Sequence, residues 1–229
     1  MRTLVYIDGY NLFYGCLKHS GDKWLDIHRL FKDFILRTQC PKAVLVQVKF
    51  FTADIKGRVA TRGDAAIKAQ SDYHRALERL YPEDVSIIKG YYSLEKAYLP
   101  AYRKPPDKSE RLAVWKLEEK QTDINIALTA YRDVAAGRVD QLVFVTNDTD
   151  LAPALKAIRE DFGNKTQIGI VIPVRKTAAG QKKRRPPNNH LSQYADWTRK
   201  HINDEELAKS ALPSRIATGK KPIRKPEYW

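Results

Sequence analysis

A chain of 229 residues, 43% hydrophobic and 30% charged, is long enough for one substantial domain, and no apolar run approaches the ~18 residues that a membrane span requires. Forty-one lysines and arginines against 27 acids leave a net charge of +14, which favours a polyanionic partner, because basic side chains that neutralise phosphates release condensed counterions. Two cysteines, Cys16 and Cys40, exclude a disulfide framework and lack metal-site spacing, so a reduced, cytoplasmic setting is expected.

The chain enters directly into "TLVYI" (3–7), a buried-strand pattern without the h-region and cleavage site of a secretory signal. Ile27, Leu30, Phe31, Phe34 and Ile35 repeat at helical spacing. "AVLVQVKFF" (43–51) reads as a second strand, and Ala66, Ala69, Tyr73, Leu77 and Leu80 form the core stripe of a long helix that Pro82 closes. "VSIIKGYY" (85–92) is a third strand. A Tyr- and Pro-rich connection, "LEKAYLPAYRKPPDK", leads to "RLAVWKLEE" (111–119), a further strand or hairpin arm. Ile124, Ala127, Leu128, Tyr131 and Ala135 predict a helix, "QLVFVT" (141–146) a strand, Leu151, Leu155, Ile158 and Phe162 a helix, and "QIGIVIPV" (167–174) a last strand. The basic segment 175–187 reads as an exposed loop. Helical spacing returns over about 189–212, and 213–229 is a basic, Pro-punctuated tail expected to be flexible. Strands without polar alternation, interleaved with helices, predict an α/β three-layer sandwich around a mostly parallel sheet, with one domain over 1–212.

In such sheets the functional crevice lies beyond the carboxyl ends of the strands. "VYIDGYN" puts Asp8 at the end of the first strand, "EEKQTDINIA" puts Asp123 at the start of a helix, and "VFVTNDTDLAPAL" puts Asp148 and Asp150 just after another strand. Each acid alone is explained by a cap or turn, with Asp150 the natural cap of the helix at Leu151 and Thr122 that of the helix at Asp123. Acids at three boundaries on one edge are not explained that way. Crowded carboxylates repel, and a hard divalent cation with oxygen ligands, Mg²⁺ or Mn²⁺, relieves the repulsion and suits phosphodiester hydrolysis. No G-x-S-x-G elbow and no G-x-x-x-x-G-K-[ST] phosphate loop is present.

"YIDGYNL", "EKQTDINIALTAY" and "VFVTNDTDLAPAL", in this order, resemble the NYN-domain proteins (the LabA/DUF88 group), relatives of the PIN-like nucleases. The likeness extends through "FFTADIKG", "AQSDYHRALERL", "VSIIKGYY" and "HLSQYADWTRKHI", roughly residues 1 to 212. It implies a PIN-like fold and divalent-metal-dependent cleavage of RNA. Asp8, Asp123, Asp148 and Asp150 match the family's acids and Asn11 its motif asparagine, with Thr146 beside them to orient ligands, water or substrate. Many relatives carry a further Asp where this chain has Thr129, a gap that Asn125 or Asp133 would have to fill, and Asn147 stands where Gly is common.

Lys120 and the loop residues Arg175, Lys176, Lys182, Lys183, Arg184 and Arg185 are candidate phosphate contacts, and Tyr91, Tyr92, Tyr98 and Tyr102 candidate stacking platforms for single-stranded bases. The function expected is a metal-dependent ribonuclease with RNA as partner and no membrane, a homodimer being left open. The alternative is a non-catalytic RNA- or protein-binding module that keeps the fold.

Overall fold

The computed structural model describes residues 1–105, 107–176 and 189–229. Seven strands form one sheet in the order β4-β3-β2-β1-β5-β6-β7. β1 (Arg2–Asp8), β2 (Val44–Ala53), β5 (Gln141–Val145) and β6 (Gln167–Val171) are parallel, as is β7 (Trp197–Arg199), and the long β3 (Val85–Pro100) pairs parallel to β2. Only β4 (Arg111–Lys120) runs antiparallel, against β3.

The alternate faces of the central strands explain the near-continuous apolar runs. Val5, Ile7, Val143 and Val145 look into one core, with the helical segments 9–39 and the helix Gly63–Leu80 above them. Leu4, Tyr6, Leu142 and Phe144 look into the other, under the helices Thr122–Ala135 and Ala152–Phe162. Both faces are dry, so no polar alternation appears. The sheet is thus the middle layer of an α/β/α sandwich, as the sequence predicts.

Three elements differ from expectation. The first half of the Tyr- and Pro-rich connection is strand: β3 continues to Pro100 and pairs with β4 from Tyr91↔Lys120 to Pro100↔Arg111. β2 stops pairing at Ala53↔Gly90, so these last ten residues of β3 leave the sheet with β4 alone and form an arm. At ~3.3 Å per residue it reaches about 30 Å beyond the carboxyl edge.

The expected helices over 189–212 are two short ones, Asn189–Ser192 and Asp204–Lys209, with β7 between them. Trp197 decides this. Its ring covers the bare Cα of Gly169, where a Cβ would come within 2.1 Å of the indole, and its Nε1 donates to Gln141 Oε1 at 3.1 Å. Three residues are too few for a period to show in sequence. Gly169→Ala is expected to lower stability by about 1–3 kcal/mol through overpacking, read as a fall in Tm on thermal denaturation.

The segment 213–229 is also not a loose tail. β8 (Arg215–Ile216) pairs antiparallel with β9 (Ile223–Arg224), and Ile216 and Ile223 are buried. Trp229 packs on Trp24 and Tyr73, with ring centroids at 6.2 and 5.8 Å. Basic composition hid these three anchors.

A carboxylate crevice at the carboxyl edge

The connection from β1 leads to β2 on one side and the connection from β5 leads to β6 on the other, so the carboxyl ends of β1 and β5 form a topological switch point where the loops part and leave a crevice. The register aligns Ile7 with Val145, which brings the next residues, Asp8 and Thr146, side by side. Thr146 Oγ1 donates to Asp8 Oδ2 at 3.0 Å. Asp8 also caps the helical turn Gly9–Leu12: its carboxylate accepts from the Asn11 backbone N–H at 2.9 Å and from the Asn11 side-chain amide. The sequence "DGYN" is therefore a strand end, a cap and an orienting amide in four residues.

Asp123 reaches the same edge by a different route. The antiparallel β4 brings the chain back along the arm to the carboxyl edge, and Gln121, in the left-handed region at φ 71°, reverses it into the helix Thr122–Ala135. Gly90 permits this reversal, because a Cβ there would lie 2.3 Å from the Lys120 carbonyl oxygen. Thr122 is not the cap that the sequence suggests. It is the first helical residue, and its hydroxyl donates to Glu119 Oε1 at 2.6 Å.

The third motif also differs in detail. Asp148, not Asp150, caps the turn Thr149–Leu151, accepting from the Asp150 N–H at 3.0 Å, while the Asp148 N–H donates to Thr146 Oγ1 at 3.0 Å. Thr146 thus ties Asp8 and Asp148 together through one hydroxyl. Asp150 is exposed at the margin.

Asp8, Asn11, Asp123 and Asp148 line a crevice of about 370 Å³, together with Tyr10, Tyr14, Tyr92, Glu119 and Lys120. Burial pushes the Asp8 carboxyl up to about 6, against the hydrogen bonds from Asn11 and Thr146 that favour its charge. Asp123 is also raised to about 6, first by burial and then by the negative charges of Asp8, Asp148 and Asp150. The four acids taken from three separate motifs are therefore electrostatic neighbours. Thr146→Val removes the donor to Asp8 and the acceptor for the Asp148 N–H. It is expected to cost about 1–3 kcal/mol and to raise the Asp8 pKa further, measured by denaturant melts and by carboxyl titration in NMR.

Glu119 escaped the sequence reading. It faces the crevice, adds negative potential at Asp8, and accepts from Tyr92 Oη at 3.3 Å as well as from Thr122. Its signal was present in "EEKQTD", but only the antiparallel return of β4 brings it to this edge. Tyr10 and Tyr14, one helical turn apart with tilted rings whose centroids lie 4.3 Å apart, were also missed.

Other expected residues lie elsewhere. Arg175 is consumed by structure: its guanidinium donates to the Cys16 carbonyl at 2.7 Å and to Asp204 at 2.5 Å, and pairs with Asp22. Lys176 is exposed, and Lys182, Lys183, Arg184 and Arg185 lie outside the described residues. Lys120 lines the crevice while its ammonium pairs with Glu118 at 2.6 Å. Asp133 does not fill the gap at Thr129, since it is buried among Tyr6, Lys49 and Arg138.

The donors in the crevice are all oxygen, the set that suits Mg²⁺ or Mn²⁺, and the raised carboxyls mark negative charge that a dication would relieve. Among the described residues, no three His, Cys, Asp or Glu side chains are close enough to form a ready-made metal cage, so an ion would have to draw these carboxylates together.

Residues 2–185 match the NYN domain family. The chain is 42% identical, over 245 aligned positions covering 100% of it and 75% of the relative, to a protein of Pseudomonas putida named 6-hydroxy-3-succinoylpyridine 3-monooxygenase. A crystal structure of a protein of unknown function from Vibrio parahaemolyticus is similar at a TM-score of 0.48 and 16% identity, covering 89% of this chain and 94% of that one.

Proposed function

Because this chain belongs to the NYN-domain family, we propose that its carboxylate crevice is the active site of a divalent-metal-dependent ribonuclease that cleaves single-stranded RNA. The observation that carries the reading is the convergence of Asp8, Asp123 and Asp148, from three separate motifs, on one crevice in a chain whose net charge is +14. Isolated caps would not be grouped in this way.

Asp8, Asp123 and Asp148 would hold the ion, with Asp150 and Glu119 adding negative potential at the margin. When bound, Mg²⁺ or Mn²⁺ supplies an acidified water and neutralises charge developing on a phosphodiester. The chain's own part is orientation. Asn11 and Thr146 hold the Asp8 carboxylate from two sides, so that its lone pairs keep one direction. Lys120 exchanges Glu118 for a phosphate oxygen, and the Tyr10–Tyr14 pair offers a ring face to a base beside the scissile bond. A reducing, cytoplasmic setting suits the two unbonded thiols, Cys16 and Cys40. No helix among the described residues is long and apolar enough to cross a membrane.

The test is cleavage of single-stranded RNA by wild type and Asp148→Asn with Mn²⁺ or Mg²⁺, and again in chelator. Metal-dependent cleavage that the substitution removes is the expected result. Equal cleavage by both proteins would assign the activity to a contaminant, and RNA binding that persists in chelator without turnover would make the chain a binding module.

A second reading is favoured by the relative named as a monooxygenase, whose likeness spans the whole chain. On that reading the crevice would receive a hydroxypyridine carboxylic acid, and the chain would need dioxygen and a two-electron reductant. Oxidation of a reduced nicotinamide that depends on 6-hydroxy-3-succinoylpyridine, with a flavin supplied, would support it over cleavage.

A further inference from the structure

The Tyr10–Tyr14 pair has a second side. It separates the carboxylate crevice from a cavity of about 400 Å³, within the range that holds small ligands. The cavity lies between the helical segments 9–17, the 57–61 turn, the helix Gly63–Leu80 and the root of the arm, and it shares Tyr92, Leu117 and Glu119 with the crevice.

Its wall is built for a ring. Phe13, Phe50, Tyr73 and Trp229 line it. Aromatic walls favour a flat ligand, because offset and edge-to-face ring contacts add to what the buried area contributes. Its rim is built for an anion. Lys18, Lys23 and Lys56 line the cavity, and among the described residues none of the three has a carboxylate partner: Lys23 donates to the Ser20 carbonyl at 3.0 Å, and Lys18 lies 4.5 Å over the Tyr14 ring. The chain's other lysines are often paired, as at Lys49, Lys68, Lys89 and Lys116. His74 on the wall is buried, and burial with the nearby Lys89 charge lowers it to about 4, so it stays neutral and offers one donor and one acceptor to ring heteroatoms.

We propose that this cavity binds a planar heteroaromatic ring carrying an anionic substituent, with the ring against Phe50, Tyr73 and Trp229 and the anion against Lys18, Lys23 and Lys56. The ring is supplied either by a nucleotide or by a free aromatic acid; both present the same chemistry to the wall. The site goes beyond the cleavage reading and does not depend on it, since Asp8, Asp123 and Asp148 are not among the residues that line the cavity.

The experiment is calorimetric titration of the full chain, in chelator so that no turnover intervenes. The probes are adenosine 5′-monophosphate, uridine 5′-monophosphate, 6-hydroxynicotinate, neutral adenosine and the saturated anion cyclohexanecarboxylate. At least one heteroaromatic anion is expected to bind at least about tenfold tighter than adenosine and cyclohexanecarboxylate, a difference of about 1.4 kcal/mol. Nucleotides ahead of 6-hydroxynicotinate identify the source as nucleic acid or nucleotide, and the reverse order identifies a free acid. Ala66→Phe, which fills the cavity from its rim, is expected to weaken the best probe at least tenfold with Tm held. Lys18→Ala and Lys56→Ala serve as the second arm should Ala66→Phe lower Tm, and each is expected to weaken it severalfold. Equal binding of cyclohexanecarboxylate, or binding that survives both sets of variants, overturns the proposal.

Discussion

Asp8→Asn is expected to slow metal-dependent cleavage by at least about two orders of magnitude, the scale of several kcal/mol that metal-held charge contributes to a transition state, and to stabilise the metal-free protein at the same time. The sign of the second effect follows from burial. The fold raises the Asp8 carboxyl from the ordinary value near 4 to about 6 and so favours its neutral form. Stability owed to this group is therefore fully present below about pH 4 and is lost as the pH rises through 6. Asparagine keeps the shape and the cap acceptor but never ionises, so the gain over wild type should be absent near pH 4, open between 4 and 6, and hold above 6. Two units correspond to about 3 kcal/mol. That value already includes the hydrogen bonds from Asn11 and Thr146 that favour the charge, so a gain of about 2–3 kcal/mol is expected above pH 6. Thermal melts across that pH range read it directly. Added Mn²⁺ should raise the Tm of wild type more than that of the variant, because the substitution removes one of the three carboxylates that would hold the ion in the folded state. A variant that loses both stability and activity would mean that Asp8 is chiefly a cap.

The opposite movement of activity and stability separates a functional carboxylate from a structural one, and the sequence could not make that separation. What it could place was the edge. Asp8 and Asp148 follow strands that read unmistakably as buried, and a parallel sheet sends the ends of such strands to one side. Asp123 was harder, because its position depends on β4 running backwards and on Gln121 turning left-handed, neither of which leaves a periodic trace. Glu119 was hidden for the same reason. Local caps were misassigned at Asp150 and Thr122 because several polar residues in a row can each cap a helix, and only tertiary partners choose among them: Thr146 for Asp148, and Glu119 for Thr122. β7 and the packed 213–229 segment were illegible for a different reason. Their anchors, Trp197, Ile216, Ile223 and Trp229, are single apolar residues in basic surroundings, and each takes its place from a distant surface rather than from a pattern of its own.

Asp133→Ala should act in the contrary way to Asp8→Asn: a large loss of stability, with chemistry retained in the molecules that remain folded. Asp133 lies in the last turn of the helix whose first turn carries Asp123, ten residues and so about 15 Å away along its axis. Its carboxylate is 2% exposed, accepts from Tyr6 Oη at 2.7 Å and from Arg138 at 3.3 Å, and pairs with Lys49, itself only 12% exposed. Removing it leaves a lysine ammonium and a tyrosine hydroxyl buried beneath the sheet-facing side of the helix without their acceptor. Breaking a buried pair from one side costs about 3–5 kcal/mol. At roughly 2–4 °C per kcal/mol for a chain of this size, that is a fall in Tm of about 6–20 °C. The paired replacement Lys49→Met with Asp133→Leu takes away both charges and should recover most of the loss, since an apolar pair of similar volume does not pay to desolvate two ions. Cleavage measured well below the lowered Tm should remain within a few-fold of wild type. Were Asp133→Ala instead to leave Tm in place and abolish the response to Mn²⁺, the acid would belong to the metal cluster, and the vacancy at Thr129 would have been filled from the far end of the same helix.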